Sequence, residues 1–360
     1  MISNDQPTLV VTCKLSSAYR LAVAETIAAR ARIIFLDELD QPAARRAALS
    51  SATALLTHNP IKELHADEVD LIRNARLVQF LAAGVDFIPL DQLPPQVPLA
   101  SNAGAQAESM AEHALAMALA AAKHLPVEQA RMARGEFNQA GATRMMAEST
   151  CGILGLGGTG LALARLLKCL GACVHGINRR GESSVPIDWV GKPDALDAML
   201  TVSDMVFVTA PLTRETFCMI GRRELSLMKE DAILVNLARG ELVDEEALYL
   251  HLRDHGSFVA CIDAWWIEPV RHGRFEMQFP FLDLPNVIAS PHNSAAGGKT
   301  NLLASVNEAG KSTVVIQDNT FSNVYRTASM RYNKLPRTGI GPNLHTCDGG
   351  GHGVPSKHTD

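Results

Sequence analysis

The stretch 152-GILGLGGTGLALARLLKCLGACVHGINRRG-181 decides how this chain folds. Just ahead of its glycines, 151-CGIL-154 reads as a buried strand, and 161-LALARLLKCLG-171 carries the apolar spacing of a helix. A second strand, 172-ACVHGIN-178, follows. Glycines at 155, 157 and 160 stand in the GxGxxG spacing, with Gly158 and Thr159 completing the loop. Gly155 permits the tight turn, Gly157 lets the backbone approach a pyrophosphate, and Gly160 lets the helix pack closely on the strand. The helix that starts there points free N–H groups and its positive dipole end at the phosphates. The spacing alone is weak, because glycine turns arise by chance. Its position between a strand and a helix favours a dinucleotide site over a plain turn.

The end of the second strand refines that reading. An Asp or Glu there would accept hydrogen bonds from the ribose hydroxyls and repel an extra phosphate. This chain has Asn178 instead, followed by Arg179 and Arg180, which can bond a 2′-phosphate through charge-assisted contacts. The expectation is NADP(H) ahead of NAD(H), against the plainer reading of two solvated loop arginines.

Outward from this unit the strand–helix rhythm continues in both directions. Before it, "TLVVTC", the end of "RLAVAETIAARARIIFL", "ATALLTHNP" and "ARLVQFLAAGVD" supply apolar strands closed by polar or glycine turns. "SNAGAQAESMAEHALAMALAAAKHL" reads as one long alanine-rich helix with Ser101 or Asn102 near its start. After it, "DMVFVTAP", "AILVNLARG", "SFVACIDAW" and "NVIASPH" are further strands, and "SAAGGKTNLLASVNEAGKSTVVIQD" a closing helical segment. Such alternation indicates α/β architecture with parallel sheets. From about residue 326 the chain turns rich in Gly, His and Pro without period, and a disordered tail over 326–360 is expected.

Composition narrows the class. The 360 residues are 47% hydrophobic and 20% charged, as in a soluble globular chain, and the formal charge of −5 argues against a dedicated nucleic-acid surface. No basic-then-apolar leader opens the chain, and no apolar run is long enough to span a membrane. Seven cysteines without a CxxC pair read as reduced thiols of a cytoplasmic protein, and no spacing fits a standard metal-ligand set.

Three later residues stand at strand ends, where an open α/β sheet presents its ligands. Arg239 in "LVNLARGELVDEEAL" can grip a carboxylate in a two-pronged fork. Glu268 in "CIDAWWIEP" and His292 in "IASPHNSA" could form a carboxylate–imidazole pair, which favours the charged imidazole and suits it to donate a proton. Taken singly, each is more simply a surface ion pair, a loop acid or a structural histidine. The set is what argues for chemistry.

With these motifs in order, residues 75 to 325 resemble the D-isomer-specific 2-hydroxyacid dehydrogenases. "LAAGVD", "SNAGAQAESMAEHAL", "GILGLGGTG", "APLTRETFCMIGRRELSLMKEDAILVNLARGELVDEEAL", "IDAWWIEP" and "NVIASPH" all look like that family's signatures. The resemblance implies a Rossmann cofactor domain (102–292) inserted into a flavodoxin-like substrate domain (1–101 with 293–325). It implies Arg239 as the substrate-orienting arginine, Glu268 as the catalytic glutamate and His292 as the acid–base histidine. The turn of Ala82, Ala83 and Gly84 would hold the substrate carboxylate. Ala210, Pro211, Ala238 and Asp263 would join Gly155, Gly157, Gly158, Thr159, Gly160, Asn178, Arg179, Arg180 and His292 around the cofactor. A homodimer with the alanine-rich helix at its interface is also implied.

The chain departs from the pattern in places. Trp265 and Trp266 replace a Val-Phe type pair, a longer segment separates Glu268 from His292, and Asn293 and Ser294 stand where a small or apolar pair is common. The expected activity is reduction of a small 2-keto acid, such as glyoxylate or hydroxypyruvate. Two alternatives stay open: an NAD-dependent dehydrogenase of another small anion (formate- or phosphite-like), and a non-catalytic NAD(H)-sensing protein like the corepressors of this fold. Formate enzymes carry Gln in place of Glu268, which counts against the first.

Overall fold

Residues 6–296 are described in the computed structural model of the chain, and they form two wholly parallel sheets. The expected return segment beyond 296 and the tail lie outside the described residues.

In the first sheet, β1 (Thr8–Val11), β2 (Arg32–Phe35), β3 (Ala54–Thr57), β4 (Leu77–Phe80) and β5 (Leu99–Ala100) lie in the order β2-β1-β3-β4-β5. β1, β3 and β4 are buried along their whole length, which is why they read as mainly apolar runs, although β4 carries the buried polar Gln79. This is the doubly wound order of flavodoxin-like folds.

The second sheet is built from β6 (Thr150–Leu154), β7 (Cys173–Ile177), β8 (Trp189–Gly191), β9 (Met205–Val208), β10 (Ile233–Asn236), β11 (Val259–Ile262) and β12 (Val287–Ala289). Its order is β12-β11-β10-β9-β6-β7-β8, so the chain reverses direction across the sheet between β6 and β9, at the glycine turn. That is the Rossmann order with one strand added beyond it. Phe207, Val208, Val235 and Cys261 are fully enclosed, each such aliphatic or aromatic side chain contributing roughly 1.5–3 kcal/mol.

The alanine-rich helix runs Ala107–Ala122, later than the expected start near Ser101 or Asn102. Gly104 takes the left-handed region (φ 92°), and Asn102 gives its N–H to the Ala82 carbonyl and its side-chain amide to Leu81. Those bonds hold residues 102–106 to the first sheet, so helical winding waits until Ala107. The helix then packs on Gly158–Cys169, where Ala111, Ala114 and Ala118 meet Ala162 and Ala164, all fully buried. Small side chains on both helices allow that close approach.

Candidate active site

Neighbouring strands of the second sheet align three turns. Asn236 of β10 pairs with Ile262 of β11, and Ile262 pairs with Ala289 of β12. Arg239, Glu268 and His292 each follow one of those ends. Gly240 draws two of the turns together: a Cβ there would fall 2.4 Å from the Trp265 carbonyl carbon, so only glycine lets the backbones meet.

His292 and Glu268 are in direct contact. Nδ1 of His292 lies 2.7 and 2.8 Å from the two Glu268 oxygens. An ionised carboxylate only accepts, so Nδ1 carries the proton and Nε2 is left to face other partners. Glu268 is buried (6% exposed) and also accepts the Trp265 N–H at 2.7 Å. Burial opposes its ionisation. The His292 hydrogen bond and charge, the Trp265 N–H and the Arg239 charge outweigh it and hold the carboxyl below its usual range.

His292 sits in the left-handed region (φ 50°), unusual for a residue with a Cβ. Asp263 holds it there. This fully buried carboxylate accepts the Ser290 hydroxyl at 2.6 Å and the backbone N–H groups of Asn293 and Ser294 at 3.1 and 3.3 Å. Its oxygens bind the chain on both sides of His292. The anchor uses backbone N–H groups, so it does not depend on the side chains at 293 and 294.

Arg239 meets the first domain. Its Nη2 lies 2.8 Å from Asp86 Oδ1, its Nε 3.2 Å from both oxygens, and its Nη1 donates to the Ala238 carbonyl. A Cβ on Gly84 would fall 1.9 Å from Nη2, so the Ala82–Gly84 turn lies flat against the guanidinium. Ala83 is exposed and Gly84 half-buried. Burial raises the Asp86 carboxyl, but the Arg239 fork and charge and the Arg271 charge bring it below its usual range. Burial likewise works against the Arg239 charge, and Asp86 overcomes it and raises Arg239. Asp86 and Arg271 were given no role on the sequence. Asp86 stands within the "LAAGVD" motif, but its partner is 153 residues away.

The two tryptophans are packing. Both are 4% exposed; Trp265 Nε1 donates to the Ser290 carbonyl, Trp266 Nε1 to Val243, and Trp266 stacks on Phe281 at 5.3 Å. The longer segment after Glu268 supplies that cover: Phe275 meets Trp265 edge-on and Phe281 is fully buried.

The glycine loop has the shape a dinucleotide needs. Gly155 has φ 105° with its Cβ position 2.7 Å from the Ala210 nitrogen, and a Cβ on Gly160 would fall 2.0 Å from the Gly155 carbonyl oxygen. Gly157 faces open space, and no side chain caps the helix it begins. Gly158 abuts Gly104, and the Thr159 hydroxyl lies 3.7 Å from Met110 Sδ. Pro211 is exposed and Ala238 half-buried beside this edge. Asn178 turns its side chain back on its own loop, accepting N–H groups from Arg180 and Gly181 and donating to Glu182. Arg179 and Arg180 are exposed and form no ion pair among the described residues. An open, uncapped glycine turn fits a nucleotide carrying phosphates; Arg179 and Arg180 stand in the loop after β7, and the Arg179 charge helps hold the Glu215 carboxyl below its usual range.

A family model described as "D-isomer specific 2-hydroxyacid dehydrogenase, NAD binding domain" matches residues 115–294. The chain is 28% identical over 275 residues to a D-3-phosphoglycerate dehydrogenase of Methanocaldococcus jannaschii, covering 75% of this chain and 51%, about half, of that relative. It is 29% identical over 260 residues to a glyoxylate/hydroxypyruvate reductase B of Yersinia pestis, covering 71% of this chain and 78% of that one. A crystal structure of a D-isomer specific 2-hydroxyacid dehydrogenase family protein from Aeromonas salmonicida shares the fold, with a TM-score of 0.74 at 22% identity over 89% of this chain and 99% of that one. No described helix is long and apolar enough to cross a membrane. With half of its length matched by the family model, this chain belongs to the D-isomer specific 2-hydroxyacid dehydrogenases.

Proposed function

We propose that this chain reduces a small 2-keto acid, glyoxylate or hydroxypyruvate, to the D-2-hydroxy acid using NADPH. The observation that carries the proposal is the convergence of Arg239, Glu268 and His292 beside the Ala82–Gly84 turn. When bound, the cofactor supplies the hydride. The backbone of Ala83 and Gly84 and the guanidinium of Arg239 hold the substrate carboxylate, and Arg239 also polarises the keto oxygen. His292 Nε2 delivers a proton to that oxygen, while Glu268 at Nδ1 orients the ring and stabilises its charge. Closure of the two domains excludes water.

Gly155, Gly157, Gly158, Thr159 and Gly160 hold the pyrophosphate, with Ala210, Pro211 and Ala238 along the same edge. Arg179 and Arg180 favour the 2′-phosphate, because Asn178 brings no negative charge to repel it. The working unit includes the split substrate domain, 1–101 with 293–325. It is a homodimer in the cytoplasm, with the alanine-rich helix Ala107–Ala122 at the interface; Leu125, Met132, Phe137 and Met145 are exposed apolar side chains on and after the helix Leu125–Ala133 that follows it. Cys13, Cys151, Cys169, Cys173 and Cys261 are free thiols, whereas Cys218 is disulfide-bonded, which corrects the expectation that every cysteine is a reduced thiol.

Oxidation of NADPH and NADH, measured side by side with glyoxylate and hydroxypyruvate, tests this reading. Faster turnover with NADPH supports it. A strong NADH preference would overturn the roles of Arg179 and Arg180, and no turnover with either keto acid would overturn the reaction.

A further inference from the structure

The turn that carries His292 is also held from outside its own sheet. Ser109, His113 and Met117 of the helix Ala107–Ala122 reach it, and their spacing of four puts them on one stripe of that helix. Ser109 Oγ donates to the Ser294 carbonyl at 2.9 Å. His113 Nε2 lies 3.1 Å from Ser290 Oγ and 3.7 Å from Asp263 Oδ1. Met117 places its sulfur 3.8 Å from the same Ser290 hydroxyl, and its carbonyl oxygen lies 3.6 Å from Cys261 Sγ in β11. The stripe therefore spans the turn from Ser290 to Ser294, with His292 at its middle.

The direction of these bonds follows from the available protons. Ser290 has one hydroxyl proton, and the Asp263 carboxylate at 2.6 Å takes it. The Ser290 oxygen is then left to accept, so His113 carries its proton on Nε2 and donates it. The result is a chain from His113 Nε2–H through the Ser290 hydroxyl to Asp263, in which each bond polarises the next. Asp263 in turn accepts the Asn293 and Ser294 N–H groups. It is fully buried, and among the described residues the His113 ring is the one basic side chain in ion-pair reach of it. Proton delivery by His292 and orientation by Glu268 make no use of His113.

The same helix ties this turn to both other parts of the site. Ala111, Ala114 and Ala118 pack it against the helix that begins at the glycine loop. Asn102, just ahead of it, binds the carbonyls of Leu81 and Ala82 at the substrate turn. His292 needs such a hold. A φ of 50° is costly for a residue with a Cβ, so the turn keeps that shape only where its surroundings over-determine it.

We infer that His113 is a positioning residue for the reaction: through Ser290 and Asp263 it fixes the turn that directs Nε2 of His292 toward the substrate oxygen. The kinetic effect of His113 rests on the proposed keto-acid reduction, and its structural effect on the hydrogen-bond chain alone.

The test compares His113→Leu, Ser290→Ala, the double variant and His113→Gln in the full chain, with NADPH and glyoxylate. The Gln amide nitrogen stands as many bonds from the backbone as Nε2 and can donate in its place. Each of the first two variants should lose about tenfold in kcat, with KM and NADPH affinity within about twofold of the parent. The double variant should lose no more than the worse single one, because both cut the same chain. His113→Gln should recover most of the loss. A kcat within about twofold of the parent in His113→Leu, losses that multiply to about 100-fold in the double variant, or an equal loss in NADPH affinity would overturn the assignment. In 15N-histidine-labelled protein, the Nδ1–H resonance that His292→Gln abolishes reports the same position without turnover. It should shift or broaden in His113→Leu and return in His113→Gln. An unchanged resonance overturns the positioning role, and a changed one sustains it even where no keto acid is reduced and the reaction itself fails. If His113→Leu does not fold, Ser290→Ala carries both readouts.

Discussion

Asp86 of the first domain and Arg239 of the second form a side-on fork, with Nη2–Oδ1 at 2.8 Å and Nε at 3.2 Å from both carboxylate oxygens. One Nη1–H goes to the Ala238 carbonyl, which leaves one N–H on each of Nη1 and Nη2. Those two project from the end of the guanidinium, where a substrate carboxylate can engage both. Asp86 thus aims Arg239 without occupying its outer edge.

Asp86→Asn removes the charge that opposes Arg239 and weakens the fork. We expect kcat/KM for the keto acid to fall by about 10- to 100-fold, with NADPH affinity unchanged and partial recovery in Asp86→Glu. Steady-state kinetics with cofactor titration checks this. Unchanged kcat/KM would show that Arg239 holds its position unaided.

The glycine loop separates a packing role from a binding role. A Cβ at Gly160 would collide with the Gly155 carbonyl at 2.0 Å, whereas one at Gly157 meets nothing within 4 Å. Gly160→Ala should therefore cost roughly 1–3 kcal/mol and lower Tm by several degrees. Gly157→Ala should lose only a small part of that while weakening nucleotide binding. Thermal melts with and without NADPH distinguish the two, and equal melting temperatures would contradict the account.

Glu245 makes stability depend on pH. It is 1% exposed and begins the helix Glu245–Asp254. Burial, together with the charges of Asp244, Glu276 and Glu241, pushes its carboxyl up to about 7, despite a hydrogen bond from the Gln278 N–H. Between pH 4.5 and 7 the folded chain keeps a proton that the unfolded chain has released. Stability from this group is therefore greatest at low pH and falls as pH rises through that window. Glu245→Gln should stabilise the protein at pH 8 relative to pH 5 by on the order of 3 kcal/mol. Urea midpoints of parent and variant at the two pH values measure it, and a gap that does not change with pH would refute it.

Much of this was legible in the residues, for identifiable reasons. Parallel strands buried on both faces read as mainly apolar runs, so β1, β3, β4, β6, β9 and β10 stand out even though Gln79 and Asn236 interrupt or end two of them. β5 and β8, of 2 and 3 residues, carry too little pattern to recognise. Arg239, Glu268 and His292 were visible because each follows an apolar strand. Asp86 was not singled out, because its meaning lies in a partner far along the chain. The bonds of Asp263 to the chain flanking His292 were not legible either, because they join residues about thirty positions apart. Whether Trp265 and Trp266 line a pocket or fill a core depends on the fold of the segment after Glu268, which has no period to read.

The central claim is that His292, oriented by Glu268, delivers the proton that completes hydride transfer. Its most direct test is turnover by His292→Gln, with NADPH binding followed by fluorescence in the same preparation. The account predicts a loss of about 10³-fold or more in kcat with NADPH affinity within a few-fold of the parent. Near-parental turnover in that variant would contradict it.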